Sequence, residues 1–177
     1  MLTYIIIFAC VVCLTEISAN QLESLDENTI KDIGFDTFGY YNNRLNDYIV
    51  IGLLLVYLFK GKDHKQFIKL AAILFALRVI FMNLTVLPAT HPECKNQSFL
   101  PFTGKCRDLV FSGPTALATL VVLFLIHEGT INTLFGITVI SILGVFTLMG
   151  RHHYTLDIVL GVLASITVFN LRDKITF

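Results

Sequence analysis

Six long apolar runs, separated by short polar segments, constrain this chain more than any other feature of its sequence. A membrane-spanning helix needs about 20 consecutive apolar residues, and several of the runs approach that length. Hydrophobic residues make up 55% of the 177 residues, whereas charged residues make up only 15%. A soluble domain would not collect its apolar residues into such blocks. The sequence therefore predicts an all-α, polytopic integral membrane protein with six transmembrane helices.

The first run, Leu2 to Ile17, fits either a first membrane helix or a secretory signal sequence. It lacks the basic residues that usually begin a signal sequence, although Ile17-Ser18-Ala19 is an acceptable cleavage site. In both cases the segment that follows is delivered across the membrane. The predicted organisation is a helix or signal at 1–19, an exoplasmic loop at 20–46 and a transmembrane domain at 47–177.

The other five runs predict the remaining spans. They are 48–59 (short unless it runs back to Leu45), 67–87, 109–126, 131–149 and 158–171, the last continued back to His153. The densest basic cluster, Lys60 to Lys65, lies in a very short loop, which predicts that this loop is cytoplasmic. Because spans alternate in direction, the start of the fourth span, the start of the sixth and Pro88 at the end of the third should face the lumenal or extracellular side.

Net charge and motif content exclude several classes of function. The formal net charge is zero, so the chain has no broad basic surface of the kind that nucleic acid would need. The sequence also contains no glycine-rich phosphate loop and no motif for a soluble cofactor. We therefore expect neither a nucleic-acid partner nor a bound cofactor.

Ionisable residues cluster at the mouth of the sixth span, in Arg151-His152-His153-Tyr154-Thr155-Leu156-Asp157. If a helix starts here, His153 and Asp157 share one face, a turn apart. A carboxylate in that position accepts the proton of one ring nitrogen and leaves the other free as nucleophile or base. His152 points about 100° away on the same geometry and is the weaker candidate. The alternative is that these polar residues only cap and anchor the helix.

Arg78 interrupts the third span about ten residues from either of its predicted ends. A charged side chain at that depth costs at least about 2.5–3.5 kcal/mol, so it should face the bundle interior and have a partner. An ion pair or an anionic ligand group would supply that partner. The alternative, a side chain that snorkels to the interface, is disfavoured by the depth.

The loop at 89–107 carries Cys94 and Cys106 on the predicted exoplasmic side, where disulfides form. A Cys94–Cys106 bridge is therefore expected, with two free thiols as the alternative. Asn96-Gln97-Ser98 in the same loop is a glycosylation sequon on the compatible side of the membrane.

Four segments resemble motifs of the sphingomyelin synthases and related ceramide phosphotransferases. Asp108-Leu109-Val110-Phe111-Ser112-Gly113-Pro114-Thr115 is similar to the family's aspartate, three residues, Ser-Gly-His-Thr, and residues 153–157 are similar to its His-Tyr-Thr-x-Asp. Arg78 followed ten residues later by Pro88 resembles its third-helix pattern. Asp32-Ile33-Gly34-Phe35-Asp36 resembles, more loosely, a motif of its first exoplasmic loop. This family belongs to the PAP2-like lipid phosphatase superfamily, so the resemblance implies the PAP2-like six-helix bundle, and a plain lipid phosphatase is the near alternative.

The resemblance implies an enzyme of sphingolipid synthesis that works without a metal at the exoplasmic surface. His153, oriented by Asp157, would attack the phosphorus of a glycerophospholipid headgroup, form a phosphohistidine and release diacylglycerol. The primary hydroxyl of ceramide would then take the phosphocholine or phosphoethanolamine group. The expected residues that bind the substrate or its phosphate are Arg78, Asp108, Ser112, Gly113 and Tyr154. Backbone amides at the start of the fourth helix suit the phosphate oxyanions.

The partners implied are ceramide, a glycerophospholipid and the surrounding membrane lipid, and a homodimer is left open. The implied location is the Golgi or the plasma membrane, with the active-site face lumenal or extracellular.

The chain departs from the family at Pro114, where the family has a histidine. That histidine is expected to protonate the leaving alkoxide and deprotonate the incoming hydroxyl, work that commonly contributes ~10²–10⁴-fold. Proline has no proton to give and no backbone N–H, but it fits the first turn of a helix that Ser112 caps. The fold should therefore survive the change while the chemistry is weakened.

Two hypotheses follow from this departure. The first is an active ceramide phosphotransferase in which another acid replaces the missing histidine. The candidate replacements are His91, His152, Glu93 and Asp108. The second is a catalytically impaired relative that binds lipid or a membrane partner through the retained cavity.

Overall fold

The computed structural model describes residues 2–22, 30–41, 44–85, 87–90 and 109–175, and these residues form seven α-helices and no strand. The helices are α1 Leu2–Leu22, α2 Ile33–Phe38, α3 Leu45–Lys60, α4 His64–Leu84, α5 Gly113–His127, α6 Thr133–Met149 and α7 Thr155–Asn170. The prediction of an all-α protein is confirmed for this part of the chain. All helices except α2 coincide with the six predicted apolar runs.

Several helix boundaries differ from the prediction, and three of these differences bear on the site. The fourth run begins as a helix at Gly113 rather than at Leu109, because Val110 has a φ of 55°, which a right-handed helix does not permit, and Ser112 is the N-cap. Helix α7, which corresponds to the sixth predicted span, begins at Thr155, so His153 precedes it. Helix α4, which corresponds to the third predicted span, ends at Leu84, three residues before the predicted end of that span.

The helices of the described residues differ in whether length and composition allow them to cross a bilayer unaided. Within the described residues, His64–Leu84 has both the length and the apolar composition of a membrane span. Shorter apolar helices are Leu2–Thr15, Gly113–His127, Thr133–Met149 and Thr155–Asn170. Helices of 15–17 residues extend for about 22–26 Å, less than the ~30 Å of a typical hydrocarbon core. The six-span bundle therefore remains a prediction.

The core is built around α5, which packs on α3, α4, α6 and α7, while α1 packs on α4 alone among the principal helix pairs. Leu120, Val121 and Leu125 on α5 are completely buried. Next to them the rings of Tyr57, Phe67, Phe124 and Phe169 contact one another at centroid distances of 4.5–5.7 Å. The centre of the bundle is thus apolar and aromatic.

Polar side chains gather at the two ends of the bundle. The end that we call the His153 end contains α2 and residues 87–90, 109–112 and 151–155, and Tyr154 Oη donates to the Pro88 carbonyl within it at 3.1 Å. At the opposite end, which we call the Glu128 end, Glu128 Oε1 accepts from the backbone N–H of Lys62 at 3.1 Å. Helices α3 to α7 therefore alternate in direction, as the sequence predicts.

Candidate active site

Asp157 joins the start of α7 to the segment that precedes α5. Its side chain is completely buried. Oδ1 accepts from the backbone N–H of Val110 at 3.1 Å, and Oδ2 accepts from that of Tyr154 at 3.2 Å. Its carbonyl oxygen accepts from the Ser112 N–H at 2.9 Å. Two of the motifs that are far apart in sequence are therefore bonded to each other at the His153 end.

His153 lies against the same carboxylate. The residue is 6% exposed, and Nδ1 lies 3.5 Å from Asp157 Oδ2, at the outer limit of a hydrogen bond. Within the described residues, Nδ1 is buried and has no hydrogen-bond partner. The two residues do not share a helical face as predicted, because His153 lies two residues before α7 begins. With Nδ1 directed to Asp157, Nε2 is the nitrogen available for chemistry.

Arg78 lies beside the start of α5. It is 2% exposed, and Nε donates to the Phe111 carbonyl at 3.1 Å. A Cβ added to Gly113 would lie 3.0 Å from Arg78 Nε and 3.1 Å from its Cζ, so the glycine makes room for the guanidinium. Because α4 ends at Leu84, Arg78 is only six residues from that end and close to the His153 end. Its burial agrees with the prediction that it faces the bundle interior.

The start of α5 offers fewer backbone donors than expected. Ser112 Oγ accepts from the Thr115 N–H at 3.3 Å and donates to Thr115 Oγ1 at 2.9 Å. Pro114 occupies the first turn, is buried and has no N–H to give. Among the first three residues of the helix, the Gly113 N–H is the one left for an anion. Pro114 therefore gives no amide to an anion, and the role of this helix start in holding phosphate oxyanions stays a prediction.

Tyr154 forms part of the wall of the site. Its ring packs on Phe35 at a centroid distance of 5.5 Å, and its hydroxyl donates to the Pro88 carbonyl at 3.1 Å. Burial raises the pKa of the Tyr154 hydroxyl above its ordinary value. The predicted substrate-binding residue is thus already committed to a contact within the protein.

Helix α2 is fastened to the start of α7 by Asp32. Its Oδ1 accepts from the Gly34 N–H at 2.9 Å and from the Thr155 hydroxyl at 2.6 Å, while its Oδ2 accepts from the Thr155 N–H at 2.8 Å. A Cβ on Gly34 would lie 2.3 Å from Thr155 Oγ1, so only glycine permits this approach. Sequence reasoning did not connect these residues, although an aspartate before a short helix is an N-cap signal.

Arg151 adds a second link between α2 and this stretch. Its guanidinium lies 4.0 Å from the centroid of the Phe35 ring, and Nη2 donates to the Phe35 carbonyl at 3.3 Å. The cation therefore holds α2 in place at the His153 end.

The candidate acids that could replace the missing histidine are not all described. His152 lies within the described residues, and its ring packs against Gly150: a Cβ added to that glycine would be 2.5 Å from His152 Nε2. Several predicted residues lie outside the described ranges and stay predictions. They are His91, Glu93, Cys94, Asn96, Cys106 and Asp108.

The comparisons with known proteins concern the C-terminal part of the chain. Residues 105–174 match the family model described as PAP2 superfamily C-terminal. No curated protein matches the chain. The matched residues include Ser112, His153 and Asp157 and cover α5, α6 and α7. The match shows a similarity of this C-terminal part of the chain to the PAP2 superfamily.

Proposed function

We propose that this chain is a lipid phosphotransferase that moves a phosphoryl headgroup from a glycerophospholipid to ceramide through a phosphohistidine at His153. The observation that carries the proposal is the buried contact of 3.5 Å between His153 and Asp157. Asp157 in turn accepts from Val110, and Arg78 donates to the next residue, Phe111. A nucleophile, an orienting carboxylate and a cation at one end of a helical bundle suit phosphoryl transfer.

In the first step, Nε2 of His153 attacks phosphorus, and the bond from phosphorus to the diacylglycerol oxygen breaks. Asp157 stabilises the positive charge that develops on the imidazole ring, while Arg78 stabilises the charge on the phosphate oxygens. In the second step, the ceramide hydroxyl attacks phosphorus, and the phosphorus–nitrogen bond breaks. Overall, the proton of the ceramide hydroxyl moves to diacylglycerol.

A second function is favoured by Pro114. The proton transfers need an acid and a base, which commonly contribute ~10²–10⁴-fold, and proline is neither. Among the described residues at this end, the Tyr154 hydroxyl donates to the Pro88 carbonyl and the His152 ring packs on Gly150. A relative that binds lipid with little or no turnover is therefore the second candidate.

Fluorescent ceramide supplied to membranes that contain the expressed chain tests these candidates. An active transferase should make a slowly migrating phospholipid product that His153→Ala abolishes and that His127→Ala, an exposed histidine at the Glu128 end, retains. If the wild type makes no product and Pro114→His makes it, the second candidate is correct. No product from either chain would contradict phosphotransfer to ceramide.

A plain PAP2-type lipid phosphatase uses water instead of ceramide as the acceptor. Vesicles that contain labelled phosphatidic acid distinguish it from the transferase. Release of inorganic phosphate that depends on His153 and is indifferent to added ceramide would favour the phosphatase.

A further inference from the structure

Two apolar grooves lie on either side of α7. The first, which we call the α6–α7 groove, has a volume of 540 Å³ and is lined by α6 and α7 over a floor of α5, with Ile140 and Val162 in its walls. The second, the α4–α7 groove, has a volume of 360 Å³ and is lined mainly by α4 and α7, with Leu77 and Ala164 in its walls. Leu163 lines both, so α7 alone separates them.

Each groove has the dimensions of a lipid chain. Residues 158–166 of α7 line the first groove and residues 160–168 line the second. Nine residues of helix extend for about 13–14 Å, close to the ~15 Å that one leaflet contributes to the hydrocarbon core. Both volumes fall within the ~300–1,000 Å³ that is usual for ligand pockets. The grooves therefore match hydrocarbon chains that enter from one leaflet.

The grooves reach the His153 end at chemically different points. The α4–α7 groove ends at Val110 and Phe111. Val110 donates to Asp157 at 3.1 Å, and Phe111 accepts from Arg78 at 3.1 Å. Arg78 does not itself line this groove, but its buried guanidinium is bonded to the Phe111 that does. The α6–α7 groove instead ends at Leu148 and Ile158, which pack with Tyr154 in an apolar cluster.

We propose that two lipids bind side by side across α7, a phospholipid in the α4–α7 groove and an uncharged acceptor lipid with a hydroxyl head in the α6–α7 groove. The phosphate of the first lies toward Arg78, and the hydroxyl of the second approaches from the Tyr154 side. This assignment rests on the proposed phosphotransfer, which needs a donor and an acceptor. A single diacyl lipid would have to spread its chains by the width of a helix, about 10–12 Å.

Photolabelling of the full chain in phosphatidylcholine vesicles tests the assignment without any need for turnover. One sample contains phosphatidylcholine with a diazirine in its acyl chain, and the other contains ceramide with the same label. After irradiation, mass spectrometry locates the labelled residues. We expect the phospholipid probe on Leu77 and Leu160 and the ceramide probe on Ile140 and Val162.

Groove-filling variants provide the matched controls. Val162→Trp should reduce ceramide labelling about tenfold and leave phospholipid labelling unchanged, whereas Ala164→Trp should do the reverse. Ile142→Trp, at a position on α6 that is 45% exposed and lines neither groove, should change neither. The wild-type map stands even if a variant fails to fold, which its thermal unfolding reveals.

The outcomes separate this assignment from the proposed function. Labelling of both grooves as expected, without any phosphosphingolipid product, supports the two lipid positions and contradicts the catalytic proposal alone. Product formation with labels outside the grooves, labelling confined to the α4–α7 groove, or both probes in one groove overturns the two-lipid assignment.

Discussion

At the scale of single residues, Asp157 does more for the fold than its predicted role requires. Both carboxylate oxygens accept hydrogen bonds from backbone N–H groups, those of Val110 and Tyr154, in addition to the contact with His153. The spacing of His153 and Asp157 predicted their proximity, but not the reason for it. That reason lies in the Val110 segment, far away in sequence, which no local pattern reveals.

Asp157→Asn should therefore reduce stability as well as any activity. An asparagine retains one acceptor oxygen but turns its amide donors toward a backbone N–H, which leaves a buried donor unpaired. We expect a loss of about 1–3 kcal/mol in the free energy of unfolding, measured by denaturation in detergent. Asp173→Asn, at a side chain that is 81% exposed, is the control and should change it by less than about 0.5 kcal/mol. Equal stabilities of both variants would show that the two bonds contribute little.

Gly113→Ala should displace Arg78, because the new methyl group would lie 3.0 Å from its Nε. The shift would disturb the hydrogen bond that the buried Arg78 donates to the Phe111 carbonyl. We therefore expect lower thermal stability together with weaker binding of an anionic lipid. Gly52→Ala is the matched control: nothing lies within 4 Å of an added Cβ there, and it should stabilise α3 by about 0.5–1 kcal/mol. Loss of stability in Gly52→Ala but not in Gly113→Ala would contradict this account.

At the scale of helices, six of the seven could be predicted from apolar runs, while α2 could not. A helix of six residues in a polar loop has too short a pattern to reveal a period, and its stability comes from contacts with α6 and α7. Boundaries failed where tertiary bonds decide them, as at residues 109–112, which bind the start of α7 instead of extending α5. The Pro114 interpretation succeeded because a first-turn proline behind a serine cap is a local rule.

Asp32→Ala should loosen two helices at once, because one carboxylate caps α2 and also binds the first residue of α7. Loss of one cap costs about 0.5–2 kcal/mol, so two should cost about 1–4 kcal/mol. Asn132→Ala, which removes the single cap bond to Phe135, is the control and should cost only the smaller amount. Hydrogen exchange should accelerate at the Thr155 amide in Asp32→Ala alone, and unchanged exchange there would refute the link.

At the scale of the whole molecule, polar residues lie at two opposite ends of the bundle, as the alternating direction of the predicted spans requires. At the Glu128 end, the Glu128 carboxylate accepts from the backbone N–H groups of Lys62 and Asp63, just before α4. The Gln66 side-chain amide donates to the Arg172 carbonyl at 2.8 Å. These bonds join the basic loop and the C-terminal turn on one face. Because positive charge is retained on the cytoplasmic side, this is the face that we expect to be cytoplasmic.

Labelling of single cysteines in sealed microsomes tests that orientation. In a cysteine-free background, Asp173→Cys at the Glu128 end should react with a membrane-impermeant maleimide directly, whereas Tyr41→Cys at the opposite end should react only after detergent is added. Both native side chains are exposed, so access to the protein surface is matched, and only the membrane separates them. Immediate labelling of Tyr41→Cys would place the His153 end in the cytoplasm. The phosphohistidine would then form beside the cytoplasmic leaflet, and Asn96 could not be glycosylated.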